Sequence, residues 1–255
     1  MKIVRVDSTS DDITYGGVEP EGIRLYRGSP FIAWEPTETV VQWNEARLLA
    51  PVIPTKVIAV GRNYEDHAAE LGNPVPESPM IFLKPPTSVI GPLQAIRIPQ
   101  AVGEVHHEAE LAVVIGRVAR DVAIEDVGSY IIGYTAANDV TARTVQSEEG
   151  GRFTRAKGYD TFCPLGPAID TELDPQEGLS VICRVNGEMT QAGSTVDMIF
   201  GVGELVSFIS GVMTLLPGDV ILTGTPAGVG PISEGDRVEV EVEGVGVLVN
   251  PVTAR

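Results

Sequence analysis

Cysteine, basic residues and long apolar runs are all scarce in this 255-residue chain. Two cysteines, Cys163 and Cys183, are too few for a disulfide scaffold and lack CxxC spacing, so we expect buried structural thiols. Only 18 Lys and Arg stand against 35 Asp and Glu, a net charge of −17, which argues against nucleic-acid or membrane partners. No stretch approaches the roughly 18 apolar residues of a membrane span, and the N-terminus lacks a signal-peptide apolar core, which predicts a cytoplasmic protein.

Glycine and proline, by contrast, are abundant, at 28 and 19 residues. Many Val-rich runs lie between them, and this combination favours strands joined by tight turns. The alternating strand–helix pattern of a doubly wound sheet is missing. We therefore predict a β-rich α+β fold, mostly antiparallel, with a boundary near residue 50 between a small N-terminal β module (1–50) and a larger domain (51–255).

Few helices are expected. A short helix over 64–71 ends at the stop signal Gly72-Asn73-Pro74. Helical turns are expected near 123–130 and 140–146, and apolar periodicity predicts one long helix over 196–210. The Asn-Gly dipeptide in SVICRVNGE predicts a hairpin turn.

Three carboxylates stand where apolar residues are expected. Glu108 and Glu110 are two apart, so on a strand they share one face, and Asp139 ends another apolar strand. Ionised carboxylates at the end of a buried strand need a compensating positive charge. Oxygen ligands without sulfur suit Mg²⁺ or Mn²⁺, although a solvated strand end without metal would show the same spacing. Of the adjacent His106 and His107, at most one could join the ligands, because neighbours on a strand face opposite ways.

A second candidate group lies in GRNYEDHAAELG. His67 and Glu70 are three apart, hence neighbours on a helix, and a carboxylate oriented on imidazole raises its basicity, as activation of water requires. An exposed ion pair is the simpler interpretation of this spacing. Lys157, among turn residues, has the pattern of a surface lysine. The GTPAGVG loop (224–230) lacks a phosphate-binding Gly-Lys-Ser/Thr, but its backbone N–H groups and the Thr225 hydroxyl could hold a small anion.

Taken together, these segments resemble the fumarylacetoacetate hydrolase (FAH) family over about 50–255. Several motifs in one order make the match specific, and the 1–50 module resembles the small N-terminal domain of many members. The motifs are VIAVGRNYEDHAAELG, IFLKPPTSVIGP, HEAELAVVIG, AANDVTARTVQ, RAKGYDTFCPLGP, VNGEMTQAGST, MTLLPGDVILTGTPAGVGP and GVGVLVNPV.

The resemblance implies an FAH-type mixed β-roll or sandwich catalytic domain, usually a homodimer, with Mg²⁺ or Mn²⁺ as cofactor. Two departures, Thr144 for a common aspartate and Phe153 for a common tryptophan, bear on substrate details, and His107, where an aromatic residue is common, is a local variation. The residues matched by position are the metal ligands Glu108, Glu110 and Asp139, the catalytic His67 and Glu70 on a lid, the catalytic Lys157, and the substrate-binding Arg143, Gln146 and Thr225.

The activity implied is metal-dependent cleavage of short 2-oxo acids through a pyruvate enolate. It would be C–C hydrolysis of an acylpyruvate such as fumarylpyruvate, with His67 and Glu70 activating water, or decarboxylation of oxaloacetate. The alternative is a 2-hydroxyhepta-2,4-diene-1,7-dioate isomerase or 5-carboxymethyl-2-oxo-hex-3-ene-1,7-dioate decarboxylase of aromatic catabolism. A structural Ca²⁺-binding β-domain is the non-enzymatic alternative. Loops 73–79 and 147–155 are expected to set substrate length.

Overall fold

The computed structural model describes residues 1–8, 13–70, 72 and 74–255. Within this part of the chain, twenty strands form three sheets. The strands are β1 (Lys2–Ser8), β2 (Ile13–Glu19), β3 (Gly22–Ser29), β4 (Ala33–Val41), β5 (Ala46–Leu49), β6 (Val57–Gly61), β7 (Met80–Lys84), β8 (Val89–Ile90), β9 (Ile96–Ile98), β10 (Val105–His107), β11 (Ala109–Ile115), β12 (Ile131–Asn138), β13 (Thr141–Ala142), β14 (Cys163–Asp170), β15 (Ser180–Val185), β16 (Glu188–Ser194), β17 (Val220–Leu222), β18 (Gly230–Ile232), β19 (Arg237–Val242) and β20 (Gly246–Ala254).

The helices are short and lie between strands. Four are α-helical, namely α1 (Glu65–Glu70), α2 (Arg143–Glu148), α3 (Phe153–Lys157) and α4 (Val202–Val212), among the residues described. The 3₁₀ helices are Trp43–Glu45, Pro86–Ser88, Ile124–Tyr130, Pro175–Glu177 and Thr195–Asp197. None of the helices in these ranges is long and apolar enough to cross a membrane.

The largest sheet has the strand order β4-β3-β2-β1-β14-β12-β11-β17-β6-β7, with β5 on β1 and β8 on β14. Most neighbours are antiparallel, which confirms the predicted β-rich, mostly antiparallel fold; β17 and β6 pair in parallel. Because β1 pairs with β14, the N-terminal strands continue the sheet of the larger part of the chain. The division at residue 50 stays a prediction.

The main core lies between the large sheet and a five-stranded sheet of order β16-β15-β19-β20-β9. Leu111 and Ala136 of the large sheet belong to the same buried cluster as Val181, Val240 and Leu248 of the smaller one. Every residue of β11 is buried, as its unbroken apolar run predicts. A strand buried on both faces is a rigid support for whatever its ends carry.

The long helix begins later than predicted. Residues 195–197 form a 3₁₀ turn and α4 starts at Val202, so the prediction of a helix over 196–210 is wrong at its N-terminal end. The backbone N–H groups of Ile199 and Phe200 donate to the backbone and side-chain oxygens of the buried Asn63. These tertiary bonds hold residues 199 and 200 in a bend before α4, although the apolar spacing of the segment is helical.

The shorter elements agree better with the sequence. The hairpin between β15 and β16 turns at Asn186 and Gly187, both with positive φ (55° and 87°), as Asn-Gly turns require. The turns expected at 123–130 and 140–146 correspond to a 3₁₀ helix and to α2, which starts three residues late because 141–142 pairs as β13. Of the predicted 64–71 helix and its stop signal, Leu71 and Asn73 lie outside the described residues.

Asp219, fully buried before β17, ties the turn before that strand to the segment that precedes β6. Its carboxylate accepts from the Thr55 hydroxyl (2.6 Å), the Lys56 N–H (3.1 Å) and the Leu216 N–H (2.7 Å), and it pairs with the Lys56 ammonium. This fixes the start of the parallel β17–β6 pair.

We expect Asp219→Ala to lower the free energy of unfolding by about 2–4 kcal/mol, because it leaves buried donors and one ammonium without their acceptor. Chemical denaturation followed by circular dichroism measures the loss. The matched control is Asp160→Ala, which removes an ion pair with Arg255 at 3.4 Å whose two side chains are more than half exposed; its effect should stay within about 0.5 kcal/mol. Equal losses in both variants would contradict this role of Asp219.

Candidate active site

Three carboxylates meet where β11 begins and β12 ends. The two strands are antiparallel with Ala109 opposite Asn138, so Glu108, just before β11, lies beside Asp139, just after β12. Glu110 follows Glu108 two residues along and turns to the same side. One oxygen from each of the three lies within 4.8 Å of the others, and all three residues are buried. The solvated strand end considered from the sequence is therefore wrong.

Three cationic side chains pair with two of these carboxylates. The Lys157 Nζ donates to Glu108 Oε2 (2.8 Å) and Asp139 Oδ2 (2.6 Å), and Lys84 Nζ lies 2.6 Å from Asp139 Oδ1. Arg143 Nη2 donates to the other Glu108 oxygen. Lys157 is 3% exposed and Lys84 1%, so the interpretation of Lys157 as a surface lysine is wrong.

The charges shift the ionisation of their partners in opposite directions. Burial opposes ionisation of Glu108, but Lys157 and Arg143 outweigh it and hold the pKa of that carboxyl well below its usual range. Burial likewise works against the charged form of Lys157, yet Asp139 and Glu108 raise the pKa of its ammonium above the ordinary value. Both groups are therefore charged at neutral pH.

Glu110 is in the opposite situation. Its burial and the neighbouring charges of Asp139 and Glu108 raise the pKa of its carboxyl well above the ordinary value. Its Oε2 accepts from the Gly224 N–H at 2.6 Å, and no cationic side chain of the described residues forms an ion pair with it. A further positive charge next to Glu110 would therefore stabilise its ionised form.

His67 and Glu70 of α1 lie at the side of this cluster. His67 Nδ1 is 3.4 Å from Glu70 Oε2, and the imidazole is buried, so an exposed ion pair is not what the structure shows. Burial lowers the pKa of His67, although Glu108 and Glu70 oppose that shift, so the ring is neutral at pH 7. The Gly228 N–H donates to both Glu70 oxygens at 3.2 Å, which ties α1 to the 224–230 loop.

A cleft of about 440 Å³ opens onto these groups. Phe153 borders it, and the ring of Phe153 stacks on Phe82 behind it, with ring centroids 4.5 Å apart. Ser147, Gly151 and Phe153 of the 147–155 loop line the cleft, whereas no described residue of the 73–79 loop does; that these loops set substrate length stays a prediction. The side chains and backbone around the cleft are those of Val60, Gly61, Arg62, His67, Glu108, Glu110, Arg143, Gln146, Ser147, Gly151, Phe153, Lys157 and Thr225.

The residues matched to substrate binding also line this cleft, with their polar groups partly engaged. Gln146 Oε1 accepts from Arg143 Nη1 at 2.7 Å. The Thr225 hydroxyl donates to the Ala109 carbonyl (2.8 Å) and accepts from Gln191 Nε2 (2.7 Å). The hydroxyl hydrogen of Thr225 is thus directed into the protein, and a donor role toward a substrate carboxylate would have to come from its backbone.

The two histidines beside the cluster are engaged elsewhere. His106 Nε2 lies 2.7 Å from Glu104 Oε1, and His107 Nδ1 lies 2.9 Å from Gln191 Oε1. Among the residues described, neither belongs to the group whose ligand atoms come together.

Three polar residues of the site were not found from the sequence. Lys84 closes the apolar strand MIFLK just as Asp139 closes β12, and that parallel was the available signal. Arg62 follows β6 with a positive φ of 59° and lines the cleft. Gln191 lies on β16, most of whose residues are exposed or half-buried, and its sequence gave no signal.

Comparison with known proteins agrees with this architecture. The family description "Fumarylacetoacetate (FAA) hydrolase C-terminal" matches residues 56–253, and "Rv2993c-like, N-terminal" matches residues 1–51. Protein Rv2993c of Mycobacterium tuberculosis is 51% identical over 224 residues, covering 86% of this chain and 84% of that protein.

Two further relatives carry names of activities. The mitochondrial oxaloacetate tautomerase Fahd2a of Rattus norvegicus is 44% identical over 220 residues, 82% of this chain and 70% of its own length. The crystal structure of 5-carboxymethyl-2-hydroxymuconate delta-isomerase from Mycobacterium smegmatis is 46% identical, with a TM-score of 0.92 and 100% of both chains covered. From the family match over most of its length, the chain belongs to the fumarylacetoacetate hydrolase family.

Proposed function

We propose that this chain is a divalent-metal-dependent enzyme that interconverts or cleaves short 2-oxo acids through their enol form. Keto–enol tautomerisation of an oxaloacetate-type dicarboxylate is the activity that the site supports best. One observation carries the proposal: buried carboxylates and cations face a small cleft beside a neutral histidine.

The donor set fits Mg²⁺ or Mn²⁺. Oxygen atoms of Glu108, Glu110 and Asp139 lie within 4.8 Å of one another, and hard cations take such ligands. Glu110 faces two other carboxylates without a cationic side chain of its own, so a divalent ion held by these three residues would relieve that repulsion. When bound, such an ion supplies a Lewis acid that stabilises negative charge on an enolate oxygen.

The charge of the cleft favours a dianionic substrate. Lys84, Lys157 and Arg143 already match the three carboxylates in number. A divalent ion therefore leaves an excess of positive charge, and Arg62 adds to it. A 2-oxo dicarboxylate offsets that excess, and the cleft volume of about 440 Å³ limits it to a short one.

His67 is the residue placed to move the proton at C3 of such an acid. Its ring is neutral and lines the cleft, while Glu70 lies 3.4 Å from its Nδ1 and stabilises the imidazolium that forms when it takes a proton. The Lys157 ammonium, buried and charged, offsets the developing negative charge. Returning the proton from His67 to carbon or oxygen gives the keto or enol product.

The names of two relatives support tautomerisation or isomerisation, since oxaloacetate tautomerase and hydroxymuconate isomerase both move a proton along a 2-oxo acid framework. C–C hydrolysis of acylpyruvates is the second candidate, because a neutral histidine beside a carboxylate is also the pair that activates water. Oxaloacetate decarboxylation would begin with the same charge stabilisation.

The substrate assignment is tested by following enol-oxaloacetate decay and pyruvate release from oxaloacetate and acetylpyruvate, with Mn²⁺ or with a chelator. We expect Mn²⁺-dependent ketonisation of oxaloacetate that His67→Ala slows by ~10²–10⁴, because the general base is lost. Mn²⁺ affinity should be unchanged in that variant, since His67 is outside the ligand group. Pyruvate release from acetylpyruvate without ketonisation would favour hydrolysis instead, and loss of Mn²⁺ binding in His67→Ala would refute the role of His67.

The pH dependence of kcat/KM should show one limb from His67. A general base acts when unprotonated, so activity falls as pH drops through its pKa, and burial places that midpoint below 6.5. Glu70→Gln removes a contact that raises this pKa, so the limb should move to still lower pH. A midpoint above 6.5, or a shift to higher pH in Glu70→Gln, would contradict the assignment.

Glu110→Gln should weaken metal binding and, in the presence of chelator, stabilise the folded protein. In chelator, the raised pKa of Glu110 means that the folded protein holds a proton which the unfolded chain releases, so stability falls as pH rises above about 4.5. The amide removes this loss, and we expect the variant to be more stable by about 1–3 kcal/mol near neutral pH. Mn²⁺ should then stabilise the wild type more than the variant. Thermal unfolding at several pH values, with Mn²⁺ and with chelator, measures both effects, and a variant less stable in chelator would contradict this expectation.

A further inference from the structure

Gln191 is a buried amide that joins two sheets at the edge of the site. It lies on β16 of the five-stranded sheet with 1% exposure, and its side chain reaches β11 of the large sheet and the 224–230 loop. Its Oε1 accepts from the Ala109 N–H (3.0 Å) and lies 2.9 Å from His107 Nδ1. Its Nε2 donates to the Thr225 hydroxyl (2.7 Å) and the Pro226 carbonyl (2.8 Å). All four hydrogen-bonding positions of the amide are thus used.

Two backbone groups fix which way the amide faces. The Ala109 N–H can only donate, so it requires the oxygen of Gln191, and the Pro226 carbonyl can only accept, so it requires the nitrogen. His107 must then donate from Nδ1, since the amide oxygen only accepts. The orientation of the amide follows from the backbone alone.

The bonds close a ring around Ala109, the residue between Glu108 and Glu110. Gln191 Oε1 accepts from the Ala109 N–H, Gln191 Nε2 donates to Thr225, and the Thr225 hydroxyl donates to the Ala109 carbonyl at 2.8 Å. Both backbone groups between the two glutamates are therefore held by side chains of other elements. A shift in this ring would move the glutamates and the loop relative to one another.

The same loop holds the His67–Glu70 pair. Gly228, three residues after Thr225, donates its N–H to Glu70. Its φ is positive, at 95°, and the Thr190 carbonyl oxygen lies against the position that a Cβ would take, so only glycine fits there. Thr190 directly precedes Gln191, so the Gln191 strand touches the loop at both ends of the 225–228 segment.

We propose that Gln191 is a positioning residue that sets the loop of Thr225 and Gly228 against the strand end of Glu108 and Glu110. The amide oxygen of Gln191 holds the backbone between Glu108 and Glu110. The amide nitrogen holds the 224–230 loop, whose Gly228 in turn donates to Glu70. This role rests on the proposed function for its kinetic readout, whereas Mn²⁺ affinity reports on the cluster independently of turnover.

Two substitutions separate the two sides of the amide. Gln191→Glu keeps acceptors for Ala109 and His107 but removes both donors and places a carboxylate against the Pro226 carbonyl. We expect Mn²⁺ affinity within ~3-fold of wild type, with KM for oxaloacetate raised and kcat lowered, each ~10-fold or more. Gln191→Met removes both sides, and Mn²⁺ affinity should then fall ~10-fold as well. Gln100→Glu and Gln100→Met, at an exposed turn, are matched controls expected to change none of these values.

Thr225→Val removes the hydrogen bond between Gln191 Nε2 and the Thr225 hydroxyl. This variant keeps the proposal testable if Gln191→Met does not fold. Because Thr225 and Gln191 act through one ring, the Gln191→Glu/Thr225→Val double variant should lose no more activity than the worse single variant. If the activity losses of the two single variants multiply in the double variant, the proposal is overturned. It is also overturned if Gln191→Glu has wild-type KM and kcat, even with a lower melting temperature. A wild-type protein without activity on any 2-oxo acid would instead refute the proposed function, while the Mn²⁺ comparison between Gln191→Glu and Gln191→Met would still decide the oxygen-side role.

Discussion

Burying Glu108, Glu110 and Asp139 at the ends of two paired strands obliges the fold to bring positive charge to the same point, because unpaired buried carboxylates cost several kcal/mol each. Lys84 and Lys157 pair with Asp139, and Lys157 and Arg143 with Glu108. These cations come from β7, α3 and α2, which lie far from β11 in the sequence. The placement of these elements around the strand ends follows from this constraint.

The large sheet provides the rigidity that such a cluster needs. β11 is buried along its whole length; β12 pairs with it at Glu110, and β17 pairs with it further along, at Ala112, Val113 and Val114. The groups proposed to transfer protons lie instead on the short helix α1, which is tied to the site through Glu70 and Gly228. The charge cluster thus lies at the ends of paired strands, and the proposed proton-transfer pair lies beside it on a helix of six residues.

Local pattern and charge chemistry predicted the parts that depend on neighbours in sequence. The face shared by Glu108 and Glu110, the unbroken burial of β11 and the Asn186-Gly187 turn follow from strand period and turn chemistry. The start of α4 does not, since residues 199 and 200 are held in a bend by Asn63, which lies 137 positions before Phe200. The burial of Lys84, Lys157 and Gln191 also arises from contacts between segments that are distant in the sequence. The spacing of residues within one segment does not predict such contacts.

The central claim is that the carboxylate cluster and the surrounding cations form one site for a divalent ion and a planar 2-oxo acid anion. The most direct measurement is calorimetry of Mn²⁺ binding with and without oxalate. Oxalate is a rigid dianion with the shape of a 2-oxo acid enolate. We predict that each ligand tightens binding of the other by the same factor, ~10-fold or more, as linkage requires. Independent binding of Mn²⁺ and oxalate, or an unchanged Mn²⁺ affinity in Glu110→Gln, would contradict this claim.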